Sequence, residues 1–368
     1  MEIIITHLFK LGSAATNRIF AYARGFRELG MDVVLFLGGK PIDLPQQYTS
    51  GIKLKWIPVT SSLSLARVVA RVIRKMPIMD ISFILAYGSP LLSLFLPSKH
   101  YKVVYECTEI PFYGRTSVGI CDKVKEKINF YAVKKCSAML VISNALKEYY
   151  TQRGVDHICV SNMFVDGDRF SLKGIENNSD YIGYCGKVSL HKDGVDTLIR
   201  AFSIFHPKHP SVMLWIIGEF ESKQTEADLL SLVTDLQLNN YVKFLGPVSP
   251  SEMPSLLCGA KALALARPDN IQAKYGFPTK LGEYLATGKP VVVTNVGEIG
   301  EFLKDGVNCR IAEPDNCKDF ADKLSWVFEN YDEALALGSK GKALTKSVFS
   351  SIEQCKVVLT FMNRHVLI

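Results

Sequence analysis

The feature that most limits what this chain can fold into is a repeated alternation of short apolar runs with segments of helical spacing. In the first half, Ile3–Phe9, Val33–Leu37, Leu54–Val59, Ile81–Tyr87, Val103–Cys107 and Met139–Ser143 read as buried strands. Between the first two, Gly12–Gly30 places Ile19, Phe20, Ala23, Phe26 and Leu29 on one helical face. Strands separated by helices require right-handed crossovers, and so a parallel sheet covered by helices on both faces. The alternation restarts with Tyr181–Cys185, Met213–Ile217, Val242–Leu245, Ala262–Ala266, Val291–Thr294 and Cys309–Ile311, with helices expected over Asp196–Phe205 and Glu226–Leu236. Between the halves, Asn162–Asp180 lacks periodicity and carries Gly167, Gly174 and a polar run, as a domain boundary does. The expected fold is therefore α/β with two Rossmann-like doubly wound domains, 1–166 and 181–346, and a linker at 167–180. The helix-like segment 347–368 is expected to return to the first domain.

A chain of 368 residues that is 48% hydrophobic can bury two such cores. Its net charge of +7 is uneven: residues 1–166 carry 21 basic and 12 acidic side chains, the remainder 22 and 24. No basic patch is interleaved with aromatics, so nucleic acid is not the expected partner. An anionic membrane face or an anionic acceptor fits the basic half better. Nine cysteines without a CxxC pair read as reduced core thiols, and Met1 leads directly into a strand without a signal-peptide pattern; both suit the cytoplasm. Ser64–Lys75 is amphipathic, with Arg67, Arg71 and Arg74 one turn apart, and reads either as a membrane-surface helix or, preferably, as a helix covering the sheet with a solvated basic edge. Ile81–Pro97 is apolar but interrupted by Gly88 and Pro90, too short to span a membrane.

Chemistry concentrates in Ala266–Asn295. A strand ends in Arg267, a polar loop follows, and GFPTKLGEY opens a helix before Gly288, Pro290 and the next strand. This unit puts a helix N-terminus at the carboxyl end of a parallel sheet, where anions are favoured. Lys280 in that first turn is unfavourable against the helix dipole, which argues for phosphate binding. A second cluster lies in Gly183–Phe202, where Gly186-Lys187 ends a strand and Lys192 enters a helix. Two lysines at such an edge would stabilise a departing diphosphate, or are exposed loop lysines.

GKVSLHKDGVDTLIRAF resembles the GR-x-K-G-x-x-x-L-I-x-A-F signature of retaining nucleotide-sugar glycosyltransferases of the GT-B type, family four. VISNALKEYY with SNMFVDGDRF, then LWIIGEFE, VKFLGPVSPSEMPSLL and GFPTKLGEYLATGKPVVVTN, match the family's later segments in order. The resemblance is strong from Val141 to Pro314 and weak before it. It implies two Rossmann-like domains facing a cleft, with a nucleotide-sugar donor on the second and the acceptor, a hydroxyl of a glycan or lipid-linked saccharide, on the first. Lys187 stands where the family usually has Arg, and Lys192 at its Lys; both would meet the donor diphosphate. Glu283 matches the second glutamate of the E-x7-E motif, the ribose ligand, while Tyr275 occupies the first position.

In place of that lost acid, Thr279, Lys280 and the N–H groups of Gly276, Phe277, Pro278-Thr279 and Lys280 are expected to hold donor phosphate or sugar. The resemblance also implies backbone contact to the base at Val248, and donor contact at Gly218, which closes the LWIIG strand. Arg267 binds phosphate or acceptor, or pairs with Asp269 or Glu283. In the first domain, Gly12 and Ser13 stand in the family's phosphate loop. Thr108 occupies the usual histidine position, and Glu109 orients an acceptor hydroxyl or caps its loop. No histidine spacing suits a metal, and the GT-B type generally works without one, so no cofactor or metal is expected. A nucleotide-sugar 2-epimerase of the same architecture and a non-catalytic nucleotide-sugar-binding subunit are the alternatives.

Overall fold

The computed structural model describes residues 2–44, 49–110, 120–172, 174–175 and 180–367. The chain divides into two compact units, Met1–Phe164 with Ser350–Ile368, and Val165–Phe349. The first holds a seven-stranded sheet of β1 (Glu2–Leu8), β2 (Asp32–Gly38), β3 (Lys53–Ile57), β4 (Ile81–Tyr87), β5 (Val103–Cys107), β6 (Ala138–Val141) and β7 (Ile158–Val160). All its pairings are parallel, in the order β3-β2-β1-β4-β5-β6-β7. The second holds β8 (Tyr181–Cys185), β9 (Met213–Ile217), β10 (Val242–Gly246), β11 (Ala262–Leu265), β12 (Val291–Thr294) and β13 (Arg310–Ala312). These too are all parallel, in the order β10-β9-β8-β11-β12-β13. Each unit is thus doubly wound, as the alternation of runs requires.

Side chains that alternate along a strand serve opposite faces, and the first sheet shows it plainly. Ile3 and Ile5 enter one core, shared with the helices Ala14–Glu28 and Ser351–His365. Ile4 enters the other, shared with the helix Ser62–Ile73. Ala14–Glu28 and Ser351–His365 pack so closely that a Cβ on Gly25 would lie 2.7 Å from Cys355 Sγ and 2.9 Å from the Ser351 carbonyl oxygen.

Two expectations change. The strand β7 was not anticipated: it has three residues, and so short a run shows no period. The expected linker at 167–180 is not a free connector throughout. Its first part, Gly167–Phe170, is a 3-10 turn packed on the helices Met253–Gly259 and Thr279–Thr287 of the second unit; Lys173 and residues 176–179 lie outside the described residues. Ser62–Ile73 is, as preferred from the sequence, a helix covering the sheet: Leu65, Ala66, Val69, Ala70 and Ile73 are buried, and Arg67, Arg71 and Arg74 form its solvated edge. Among the described residues, no helix is long and apolar enough to cross a membrane, and eight cysteines are unpaired thiols.

Candidate functional site

In a doubly wound sheet the connections leaving two adjacent strands run to opposite sides, and a crevice opens outside their carboxyl ends. In the second unit that point lies between β8 and β11. After β8 the chain passes Gly186 and the exposed Lys187, and then makes one helical turn, Leu190–Asp193, capped by the Ser189 hydroxyl accepting from the Lys192 N–H at 3.1 Å. Gly194 closes the turn with φ 62°, where a Cβ would collide with the Ala266 carbonyl oxygen at 1.9 Å. The loop after β11 is tied to this turn from its own side. Arg267 Nε donates to the Lys192 carbonyl (3.0 Å), and Asn270 Nδ2 to the His191 carbonyl (2.7 Å). The Thr294 hydroxyl, at the end of β12, fixes the Arg267 carbonyl at 2.7 Å.

Into this frame the helix Thr279–Thr287 sends Lys280. Its ammonium lies 2.6 Å from Asp193 Oδ2 and 2.9 Å from the Tyr184 hydroxyl, with the lysine side chain 15% and the aspartate 2% exposed. Gly186 makes room for it: a Cβ there would lie 2.4 Å from Lys280 Nζ. Burial by itself would raise the Asp193 carboxyl, but Lys280, Arg267 and Lys192 around it outweigh burial and hold it below the usual carboxylate range. Burial pulls the Lys280 ammonium down, Asp193 opposes that, and the like charge of Arg267 adds to it. One buried carboxylate therefore sits among three cations.

The sequence reading singled out Lys187, Lys192, Arg267 and Lys280, and the fold brings all four to the β8/β11 edge. It passed over Asp193 and Tyr184, whose only signal was the acid next to Lys192 in the HKDG run. Arg267 meets the Lys192 carbonyl and the field of Asp193, neither of which was expected. Glu283 faces Arg169 at 3.4 Å, and Arg169 also donates to the Pro250 carbonyl at 3.4 Å. Arg169, unmarked beforehand within DGDRF, thus links the ribose candidate to the loop after β10 that carries the half-buried Val248.

The GFPTK expectation changes in part. The Gly276 N–H is engaged within its own turn, donating to the Gln272 carbonyl at 3.0 Å. Phe277 packs against Phe302 and Phe349, with ring centroids 5.7 and 5.8 Å away, and Pro278 has no N–H to offer. The N–H groups of Thr279 and Lys280 open the helix, and the Thr279 hydroxyl is half-buried beside them. Gly218, at the end of β9 with φ 139°, lies so close to β8 that a Cβ would fall 1.8 Å from the Gly186 carbonyl oxygen; it serves backbone packing at the same edge.

The corresponding point of the first unit lies between β1 and β4. A cavity of about 280 Å³ opens there, lined among others by Thr6, His7, Leu65, Tyr87, Ser89 and Leu92. His7 Nε2 lies 3.2 Å from the Thr16 hydroxyl, and the ring meets the edge of Tyr87 at 5.2 Å. Burial pulls its imidazole down to about 4, so it is neutral at pH 7. Gly12 takes φ 72°, and the Ser13 hydroxyl caps the helix Ala14–Glu28 by accepting from the Thr16 N–H at 3.2 Å. Glu109 is exposed and outside the cavity lining, and Thr108 lies 3.3 Å from the Tyr87 hydroxyl. Glu106, beside them in sequence, is fully buried and committed to Arg18 at 2.7 Å and the Tyr22 hydroxyl at 2.8 Å. The rest of the YECTEIPFYGR stretch, from Pro111, lies outside the described residues. Among the described residues, no group of three or more His, Cys, Asp or Glu is arranged to hold a metal.

Residues 179–330 match the family model of the group 1 glycosyl transferases. An uncharacterized glycosyltransferase of Methanocaldococcus jannaschii is 26% identical over 260 residues, 65% of this chain and 69% of its own length. A D-inositol 3-phosphate glycosyltransferase of Corynebacterium kroppenstedtii is 25% identical over 171 residues; the match spans 45% of this chain and only 36% of that relative's length. Among solved structures, HepE of Anabaena in complex with UDP and glucose superposes with a TM-score of 0.76 at 18% identity, covering 99% of this chain and 100% of its own. TarM reaches 0.76 at 12% identity, with 98% of both chains covered. The fold is the GT-B arrangement of two parallel-stranded α/β domains. With that match confined to residues 179–330, the chain is a glycosyltransferase.

Proposed function

We propose that the enzyme moves a sugar, with retention of configuration, from a nucleoside diphosphate sugar to a hydroxyl of a glycan or lipid-linked saccharide. The observation that carries this reading is the cation cluster at the β8/β11 edge, in which Lys280, Arg267 and Lys192 surround the single carboxylate of Asp193. A diphosphate is the ligand that such a cluster suits. Its negative charge relieves the repulsion between Lys280 and Arg267, and in a poorly hydrated crevice preorganised cations stabilise the charge that develops as the sugar departs. Lys187, exposed at the mouth, reaches the same ligand. Asp193 and Tyr184 position the Lys280 ammonium, and Glu283, steadied by Arg169, meets the ribose. The GT-B neighbour with bound UDP supports a uridine nucleotide as the first donor to try.

In the first unit, the cavity beside β1 and β4 is apolar with hydroxyl and imidazole tips, and the neutral His7 suits the binding of an uncharged acceptor hydroxyl. Retention is consistent with front-face departure, in which the leaving diphosphate takes the acceptor proton. A lipid-linked acceptor would bring the enzyme to a membrane surface, most simply from the cytoplasmic side.

The test is a transfer assay with UDP-, GDP- and ADP-sugars against a panel of saccharide acceptors, following nucleoside diphosphate release and glycosidic product together. Stoichiometric product is expected with one donor class. Conversion of the donor without an acceptor would point to an epimerase, and donor binding without turnover across the panel to a non-catalytic subunit; either result overturns the proposal.

A further inference from the structure

The donor and acceptor readings leave the strongest charge asymmetry of the chain unexplained. Of the excess of nine basic residues in 1–166, seven fall between residues 62 and 135, which hold 12 Lys and Arg against five Asp and Glu. The fold gathers their elements into one layer. Ser62–Ile73 and Ile120–Lys135 both pack on the 3-10 turn Pro90–Leu94, and the Ser93 hydroxyl donates to the Ala132 carbonyl at 2.7 Å. This layer covers the sheet face that receives Ile4, Ile84 and Val103, opposite the face covered by Ala14–Glu28. The outward sides of the two helices therefore point the same way, away from the sheet. The guanidinium of Arg67 stands 5.9 Å from the Phe95 ring, and Arg74 donates to the Phe95 carbonyl, so the basic edge of the first helix abuts the turn.

The second helix differs from the first in what it leaves outside. Its buried side is Ala132 and Val133, whereas Val124, Ile128 and Tyr131, at spacing i, i+4, i+7, are 50%, 47% and 58% exposed. Exposed Lys123, Lys127 and Lys135 flank that stripe, the last with its ammonium 5.3 Å from the centre of the Tyr131 ring. An apolar stripe bordered by lysines, with an aromatic at one end, is the pattern of a helix lying in the plane of a lipid interface. A soluble acidic partner would match the charge but leave the aliphatic side chains without a medium; an anionic bilayer supplies both.

We propose that Ile120–Lys135 docks the first unit flat on an anionic membrane surface, with Val124, Ile128 and Tyr131 entering the headgroup region while its lysines and the arginine edge of Ser62–Ile73 meet the lipid phosphates. This assigns the surface to a helix other than the one whose sequence suggested it, since the apolar side of Ser62–Ile73 is occupied by the sheet. The inference draws on the lipid-linked acceptor reading for its biological sense, but stands on the exposure and charge of this layer.

The experiment is co-sedimentation of the full chain with phosphatidylcholine vesicles, with and without phosphatidylglycerol, at low and at physiological salt. Binding is expected to require the anionic lipid. Val124→Ser/Ile128→Ser/Tyr131→Ser should weaken it at least about tenfold at either salt, because burial of the three side chains is lost. Lys123→Glu/Lys127→Glu should weaken it mainly at low salt. Both variants should keep the thermal transition of the parent, as none of the five residues is buried. No binding to anionic vesicles overturns the proposal. So does loss of binding in the lysine variant with none in the serine variant, which marks a surface that reads charge alone, as for an acidic protein. Transfer to a water-soluble acceptor is expected to survive in both variants, so failed vesicle binding with intact transfer refutes this surface and spares the transferase reading.

Discussion

The two units share a strand order, and each opens at the same topological point, yet the charges placed there are handled oppositely. In the first unit the buried ion pair is closed on itself: Arg18 holds Glu106, and its remaining donors go to the Ser161 and Asn162 carbonyls at 2.8 and 3.0 Å. At the cavity, His7 is neutral. In the second unit the buried carboxylate of Asp193 lies in the field of Lys280, Arg267 and Lys192 at the open edge. The topology locates both openings; the residues at the strand ends decide that a neutral imidazole meets one and a cluster of cations the other.

The comparison can be broken or sharpened in several ways. If the Arg18–Glu106 pair is purely structural, Glu106→Ala leaves a guanidinium buried without its carboxylate and should cost about 3–5 kcal/mol in denaturant unfolding, while donor affinity measured on the folded protein stays unchanged. A cost under about 1 kcal/mol would show that water reaches Arg18 and that this edge is as open as the other. In the second unit, Lys280→Ala should lower turnover roughly 100-fold, about 3 kcal/mol of transition-state stabilisation. Lys187→Ala should fall in the same range without any change in melting temperature, since its side chain is exposed. Near-normal turnover in both would remove the anion-binding half of the comparison.

The pH dependence tests the neutral half. His7 binds its proton at about 4 in the folded chain, against about 6.5 when unfolded. Between those values the unfolded state holds more protons. The contribution of His7 to stability is therefore complete above about pH 6.5 and lost as pH falls to about 4, by roughly 3 kcal/mol. His7→Gln should flatten that part of the stability curve relative to the parent, and a parallel curve for the variant would mean that the imidazole is solvated. The smallest effect is expected from Ser13→Ala, which removes the cap of Ala14–Glu28 and should cost about 1 kcal/mol in thermal unfolding. Unchanged stability there would mean that the hydroxyl is available to a ligand rather than to the helix.

How much was legible beforehand follows from the range of each interaction. Strands such as Ile81–Tyr87, Tyr181–Cys185 and Met213–Ile217 were read to the residue, because a buried parallel strand announces itself by its own apolar run. The lysines of the site could be named from local pattern and resemblance. Their partners could not: Lys280 and Asp193 are 87 residues apart and Arg169 and Glu283 114, so neither pairing leaves a periodic trace. The same applies to the surface helix. Ser64–Lys75 carries the cleaner amphipathic pattern, but pattern alone does not say whether an apolar side meets a sheet or stays exposed, and the sheet takes that one. Ile120–Lys135 mixes Val124, Ile128 and Tyr131 with lysines and looks unremarkable until its neighbours are in place.

The packing of Ser351–His365 against Ala14–Glu28 has a consequence for biosynthesis. A ribosome makes the second unit as one continuous stretch, Val165–Phe349, which has all of its strands as soon as it emerges. The first unit has its strands earlier, but the side of Tyr22 and Gly25 that receives Cys355 stays uncovered until the polypeptide has grown past residue 365. The half synthesised first is then the half finished last, the reverse of the usual amino-to-carboxyl order of domain folding. Throughout translation of Val165–Phe349, the nascent first unit shows an apolar helix face to whatever chaperone attends it.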